Sequence, residues 1–408
     1  MRLVRLAVTI IVLITVVSSA LPLAAYVADE VPIVTEAHNQ RKPEIQGDTV
    51  VWEDYRNELD TDIYGYDLVS GTEFLIRSFY QNQVNPSVYQ NIVVWTEARD
   101  FYAGRLWDVY GYDLNTSTEF VISNGFFSEF NVTIYGNIVA WEDNRNGNYD
   151  INGYNTSTHT YFPICTNSPA NQGYAEISDD YVVWSDWRNL NGDIYGYDLN
   201  TTLEFPICTD PSSQSTPAVD GDIVVWIDNR NGNNDVYGYD ISKGTEFPIC
   251  TDPSTQMHPA ISGDYVVWAD RRNGGYDIYG YDIKTQREFA ICTENGDQTE
   301  PSISGNVAVW LDYRSGNYDI YGAYISGGTA SVAYPGVMVM AYNKLSKVTA
   351  LWDSIMSRLA PGMDPEISSK LDMVQEHISN AGSLSNPIYS NGELQKALEL
   401  LHELDSLI

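Results

Sequence analysis

Seven tryptophans, Trp52, Trp95, Trp141, Trp184, Trp226, Trp268 and Trp310, follow one another at intervals of 43, 46, 43, 42, 42 and 42 residues. A period in the low forties, filled by short alternating apolar runs with turn residues between them, is the length of one four-stranded propeller blade. Seven tryptophans therefore predict seven blades. The 408 residues exceed a usual single-core domain, and stacked repeats fold such a length without one oversized core.

One period shows the parts. Pro259 to Ser262 reads as a short strand A and Gly263-Asp264 as a tight turn. Tyr265 to Asp270 is an apolar strand B suited to burial on both faces, and Arg272 to Gly275 is a loop. Asp277 to Asp282 is strand C, Lys284 to Gln286 a turn, and Glu288 to Thr293 strand D. The last repeat supplies A, B and C but continues into Gly327-Gly-Thr-Ala rather than a fourth strand. Val31-Pro-Ile-Val-Thr35 matches Phe205-Pro-Ile-Cys-Thr209, so the N-terminal segment is expected to pair with residues 319–324 and close the ring. Without that closure two sheet edges would stay bare.

The repeat W-x-D-x-R-x-G-x-x-D-I-Y-x-Y-D resembles the propeller repeats of the TolB type, also found in the noncatalytic propellers of dipeptidyl-peptidase and prolyl-oligopeptidase relatives. With an export signal and glycosylation sequons, the whole resembles repeat-built cell-surface and surface-layer proteins of methanogenic archaea. The resemblance implies an all-β, seven-bladed propeller over residues 29–326 and a binding or cell-envelope role.

Three polar positions repeat with the tryptophan. Arg56, Arg99, Arg145, Arg188, Arg230, Arg272 and Arg314 lie four residues after it; Asp54, Glu97, Asp143, Asp186, Asp228, Asp270 and Asp312 lie two after it; Asp62, Asp108, Asp150, Asp193, Asp235, Asp277 and Asp319 open strand C. A planar guanidinium can bridge two carboxylates, so the expectation is one structural acid–arginine network per blade that pins the B-to-C loop. The competing reading is calcium, because Asp228-Asn-Arg-Asn-Gly-Asn-Asn-Asp235 has the look of an oxygen-ligand loop. Against it, Arg occupies the third position and would repel the metal. No other metal or cofactor is expected.

Gln40, Gln83, Gln172, Gln214, Gln256 and Gln298 stand twelve residues before their tryptophan, with Glu129 the exception. They precede the innermost strand and are expected to ring the top of the central channel. Their amides either satisfy loop backbone or present donors and acceptors to sugar hydroxyls or a peptide. The longest B-to-C loop, Ala98 to Trp107, breaks the repeat with Phe101, Tyr102 and Trp107. These aromatics suit carbohydrate stacking or protein contact, unless the loop merely covers a neighbouring blade.

Cys165, Cys208, Cys250 and Cys292 share one strand-D position in consecutive blades, a blade width apart and beyond the ~7 Å limit of a disulfide; they read as small apolar fillers. Of the five His, those within the propeller fall in different blades and loop types, and neither G-x-S-x-G nor H-E-x-x-H occurs. Catalysis is therefore the weakest class.

Outside the repeats, two Arg within Met1 to Arg5 precede a 23-residue uncharged run, Leu6 to Ala28. Residues 1–28 read as a secretory signal, cleaved after the small residues near Ser18 and Ala20 or retained as an anchor. Sequons at Asn115, Asn155 and Asn200 fall in C-to-D turns, so glycans would crowd the face opposite the B-to-C loops; a fourth is at Asn131. Residues 327–408 change to a period of 3.6 and read as a linker and a small three-helix module, a candidate for self-association. The net charge of −33 repels phosphate backbones and excludes nucleic acid as partner. The function expected is a noncatalytic, exported propeller binding a protein or glycan of the cell envelope through its top face; the alternatives are a secreted polysaccharide hydrolase or lyase and a structural surface-layer component.

Overall fold

The computed structural model describes residues 27–57, 59–99, 106–166 and 169–326, together with Lys370, Leu371, Met373, Val374 and Leu401. The signal, Phe101, Tyr102 and most of the three-helix module lie outside the described residues. The five isolated C-terminal positions are helical, with Leu371, Val374 and Leu401 buried.

Twenty-eight strands form seven four-stranded antiparallel sheets, and the protein is a seven-bladed β-propeller. Six sheets are consecutive meanders, as in Gln214–Asp220, Ile223–Asp228, Asp235–Asp240 and Thr245–Cys250. The seventh is stitched from both ends of the repeat region. Its strands Gln298–Ser304 (β26), Val307–Asp312 (β27) and Asp319–Ser326 (β28) are completed by Val27–Val34 (β1), which lies beside β28. The closure expected from the Val31-Pro-Ile-Val motif is what forms.

Strand B is buried almost throughout, as its unbroken apolar run requires. All seven repeat tryptophans are fully buried. They are joints between blades: Trp226 packs with Val224 of its own blade and with Val183, Ile194, Ile207 and Cys208 of the preceding one. Removing such a ring from a packed core costs about 3–5 kcal/mol. The Gly at the centre of strand C has an equally local cause. Gly238 pairs in register with Phe247, and a Cβ on Gly238 would come within 2.7 Å of the Phe247 ring. A phenyl ring thus lies flat across the backbone where any side chain would collide.

Strand A is innermost, since neighbouring A strands bond to one another: Ile45 N–H donates to Ser302 Oγ (3.3 Å) and Thr133 Oγ1–H to Glu176 Oε2 (3.2 Å). Antiparallel order puts the B-to-C and D-to-A loops at one end of the propeller, called the top, and the other two turns at the bottom. The top is tied by backbone, because the amide opening strand A donates to the residue before strand C of the preceding blade, as in Gln214 N to Gly192 O (2.7 Å).

Candidate functional site

The arginine network exists, with one correction. Arg56, Arg145, Arg188, Arg230, Arg272 and Arg314 each pair with the aspartate two residues back, Asp54, Asp143, Asp186, Asp228, Asp270 and Asp312, at 2.5–2.7 Å. The second carboxylate is not the aspartate of strand C. In at least four blades it is a glutamate on strand D: Arg56 reaches Glu73 (2.6 Å), Arg188 reaches Glu204 and Arg230 reaches Glu246 (both 2.5 Å), and Arg272 reaches Glu288. The guanidinium also lies over the strand-C tyrosine, 4.2 Å from the Tyr237 ring for Arg230. Burial works against the charge of Asp228, but Arg230, the Trp226 indole and the Arg230 amide together hold its carboxyl below the ordinary value.

The strand-C aspartate is served instead by loop amides. Asn231 Nδ2 donates to Asp235 Oδ2 (2.6 Å), and Asn233 Nδ2 to Asp235 Oδ1 (2.7 Å), Asp252 O (3.0 Å) and Ser254 O (2.9 Å). The oxygens that would surround calcium surround an amide nitrogen, so this loop does not fit the metal. Among the described residues no group of three His, Cys, Asp or Glu is gathered for a metal ion.

The six glutamines do not face the channel. Gln40, Gln83, Gln172, Gln214, Gln256 and Gln298 are at most 1% exposed, and each Nε2 donates to the carbonyl two residues earlier, as in Gln214 to Ser212 O (2.7 Å). They brace the D-to-A loop through Nε2, and each Oε1 is buried without a partner among the described residues. The channel layer lies two residues further on, where spacing alone gives no signal. Lys42, Asn85, Asn131, Tyr174, Thr216, His258 and Glu300 all have φ between 47° and 56°. Each sits in a β-bulge of strand A, and none is glycine, so left-handed strain recurs around the whole axis. Glu44 of blade 1 and Glu176 of blade 4 approach across that axis. Burial pushes Glu44 up to about 7; burial, then Glu44, pushes Glu176 up to about 8.

Blades 2 and 3 depart from the pattern most. Blade 2 carries Glu97 for aspartate, and the guanidinium on it belongs to Arg77 of blade 1 (2.9 Å); Arg99 turns to Asp108. In blade 3, Glu129 replaces the glutamine, Tyr161 the strand-D glutamate and Asn152 the strand-C tyrosine. Trp107 is not in a loop. The hairpin of blade 2 is two pairs longer than expected, Ala98 opposite Trp107 and Arg99 opposite Leu106, and the indole meets Phe130 with ring centres 6.2 Å apart.

Sequence reasoning missed a cavity of the top face. It opens at the top where blades 7, 1 and 2 meet and has a volume of about 720 Å³. Its lining includes Asn39, Tyr55, Asp60, Asn82, Tyr313 and Tyr318. Tyr313 packs on Tyr318 with ring centres 5.0 Å apart; the Arg41 guanidinium, outside the lining, is 5.7 and 5.8 Å from the ring centres of Tyr55 and Tyr318. The signal was present: the B-to-C loop of blade 1 spans one residue more than that of blade 4, and tyrosines replace the polar residues that blade 5 has at the loop ends.

The remaining candidates fall as follows. Asn115 and Asn200 are exposed in bottom turns; Asn155 is half-buried, its Oδ1 accepting from the Ser157 and Thr158 amides. Asn131 is a channel residue whose Nδ2 donates to Glu142 Oε1 (2.7 Å). All four cysteines are free and buried, and Arg230 Nη2 donates to Cys208 Sγ (3.3 Å).

No family model and no curated protein matches the sequence. Solved structures do match. The β-propeller domain of the Trilobed protease from Pyrococcus furiosus, which has an open velcro topology, aligns with a TM-score of 0.55 at 11% identity over 70% of this chain and 92% of that one. An oligogalacturonate lyase from Vibrio parahaemolyticus aligns with a TM-score of 0.53 at 11% identity, covering 75% of this chain and 98% of the lyase. TolB from Agrobacterium tumefaciens aligns more loosely, with a TM-score of 0.43 at 14% identity over 64% and 96%. The chain spans about half the length of larger peptidases it also resembles, 56% of a puromycin-hydrolysing peptidase from Mycobacterium tuberculosis. At such identities the likeness is one of fold.

Proposed function

We propose that this chain is an exported, noncatalytic propeller of the cell envelope, of the TolB-like and archaeal surface-protein kind its repeats resemble, and that it holds a glycan or protein ligand at its top face. The observation that carries this reading is the cavity of about 720 Å³ at the junction of blades 7, 1 and 2, with three tyrosine rings in its wall. Aromatic rings at an open, polar-rimmed cavity offer a saccharide or a peptide stacking area at low entropic cost. The repeat networks supply a rigid frame around it. The signal and the sequons at the bottom support an exposed top, and the acidic surface keeps the domain soluble outside the cell. The test is binding of purified full-length protein to envelope glycans and surface proteins, before and after Tyr55→Ala with Tyr318→Ala. Loss of binding by tenfold or more is expected; undiminished binding would sink the site.

The second reading is a polysaccharide hydrolase or lyase acting in the channel. It is favoured by the unlike ionisable groups that face one another there, Glu44 and Glu176 within the electrostatic reach of Lys42. Turnover of an acidic polysaccharide, abolished by Glu176→Gln, would establish it. A lattice role predicts ordered assembly that depends on concentration.

A further inference from the structure

Blade 1 breaks the arrangement that keeps a cation out of the other loops. In four blades the residue two before the strand-C aspartate is an asparagine, Asn148, Asn191, Asn233 or Asn317, and its Nδ2 donates to Oδ1 of that aspartate at 2.7–3.0 Å. The same nitrogen also donates to the next D-to-A loop, as in Asn191 to Ser212 O (2.9 Å) and Asn317 to His38 O (3.2 Å). Blade 1 has Asp60 at this position. An acceptor thus replaces the shared donor, and Oδ1 of Asp62, a residue 3% exposed, is buried without a hydrogen-bond partner. No other strand-C aspartate among the described residues is left in that state. The two carboxylates are neighbours, since Asn57 Nδ2 donates to both Asp60 Oδ1 (2.5 Å) and Asp62 Oδ2 (2.9 Å). Neither forms an ion pair among the described residues. Burial, and then the Asp60 charge, push the Asp62 carboxyl up, and Ser78 and the Phe79 amide offset only part of this.

We propose that Asp60 and Asp62 hold a calcium ion at the top of blade 1, with the Gln81 carbonyl as a neutral ligand and water completing the shell. Gln81 O corresponds to Ser254 O, which accepts from both Gln256 Nε2 and Asn233 Nδ2. In blade 1 Gln83 Nε2 reaches that carbonyl, and an acid stands where the second amide would be. A divalent cation returns positive charge to the place of the missing N–H groups and offsets the cost of two facing carboxylates, one of them buried. Calcium suits the set better than magnesium, because it accepts carboxylate, carbonyl and water oxygens in irregular geometry, whereas magnesium demands a near-ideal octahedron. The charge of Arg56, third in this loop, is met by Asp54 and Glu73 at 2.7 and 2.6 Å, which offsets the repulsion that argues against calcium. Asp60 also stands in the wall of the top cavity, so the ion has a path from solvent. Two carboxylates place the affinity among extracellular modules, on the order of 10⁻⁴ to 10⁻³ M. The site does not depend on what the cavity itself binds.

The experiment is thermal unfolding and calorimetric titration of the EDTA-stripped full chain at physiological ionic strength, with calcium or magnesium chloride added. Saturating calcium is expected to raise the unfolding midpoint by about 2 °C or more, and to bind about tenfold more tightly than magnesium. Asp60→Asn rewrites the site in the pattern of the four asparagine blades. Without metal it should unfold at or above the native midpoint, and it should lose both the calcium shift and one equivalent of bound calcium. The other acids of the chain bind alike in both proteins, so the difference isolates this pair. A calcium shift of equal size in Asp60→Asn overturns the site. No calcium response in the native chain overturns the ion, and a raised metal-free midpoint of Asp60→Asn would then assign the pair a shared proton. Magnesium binding as tight as calcium binding overturns the choice of calcium.

Discussion

Arg77 Nε, on the outer strand of blade 1, donates to Glu97 Oε2 of blade 2 at 2.9 Å, so in this one blade the guanidinium on the strand-B acid comes from the neighbour. The resident arginine, Arg99, is occupied by Asp108. The Glu97 side chain is 6% exposed, and stripping the partner from a buried carboxylate costs about 3 kcal/mol or more. Arg77→Ala should therefore lower the urea midpoint clearly. Arg77→Cys combined with Glu97→Asp, which rewrites the site in the pattern of blades 4 to 6, should regain most of the loss as Arg99 swings back. An unchanged midpoint in the single variant would show that the pair is dispensable.

Glu129 occupies the glutamine position of blade 3, where burial pushes its carboxyl up to about 7 despite the hydrogen bond from Ser123 Oγ. An acid whose folded value lies above the unfolded one binds more protons when folded, so stability falls as pH rises between about 4.5 and 7. Glu129→Gln removes that loss and restores the amide that six blades use as a loop brace. Relative to the native chain it should be little changed near pH 4.5 and more stable by about 2–3 kcal/mol above pH 7.5. Differencing the two unfolding curves across pH isolates this residue from Glu44 and Glu176, which slope the same way. A difference that does not vary with pH would refute the assignment.

Trp226 Nε1 donates to Asp228 Oδ2 (3.0 Å), whereas Trp141 Nε1, equally buried, has no acceptor among the described residues because Asp143 is taken up by Arg145 and by Asn152 Nδ2 (2.7 Å). Phenylalanine at either site loses similar packing. Only at 226 does it also lose a hydrogen bond to a charged group, worth about 1.5–3 kcal/mol. Trp141→Phe should thus be the milder substitution by about that margin in thermal unfolding, and equal costs would mean that the indole bond contributes nothing.

Much of this architecture was legible because its causes are local. A tryptophan that joins two blades must recur once per blade, and Gly238 must be small because Phe247 crosses it. What could not be read depended on which groups meet in space. Asp235 and Glu246 are both acids within sequence reach of Arg230, and only the antiparallel register places Glu246 beside the guanidinium while loop amides cap Asp235. Gln214 and Thr216 are two residues apart on one strand, and the bulge between Ser215 and Ala218 decides which is buried. Tyr55 and Tyr318 reach one cavity wall only when blades 7 and 1 close, so no stretch of the repeat contains it.

That closure gives the last prediction. In six blades the strand-C glycine lies under a strand-D phenylalanine; in blade 7, β1 offers Val31 at the phenylalanine position, and a Cβ on Gly322 would meet Ile33 Cδ1 at 2.8 Å and Ala308 O at 3.2 Å. The isoleucine tip can yield, but the carbonyl cannot, and a larger side chain forces β1 away from β28. Opening that seam bares one edge of blade 7 and releases the strand that leads directly to Asn39 and Arg41. Gly322→Val should therefore cost about 2–3 kcal/mol as an overpacked core position and, at temperatures where the rest stays folded, should loosen ligand binding at the top. Gly280→Val faces the same crowding from Phe289 within a meander that no seam interrupts. If both valine variants lose stability alike but only Gly322→Val loses binding, the seam holds the cavity in shape; if binding falls equally in both, the cavity depends on the ring as a whole.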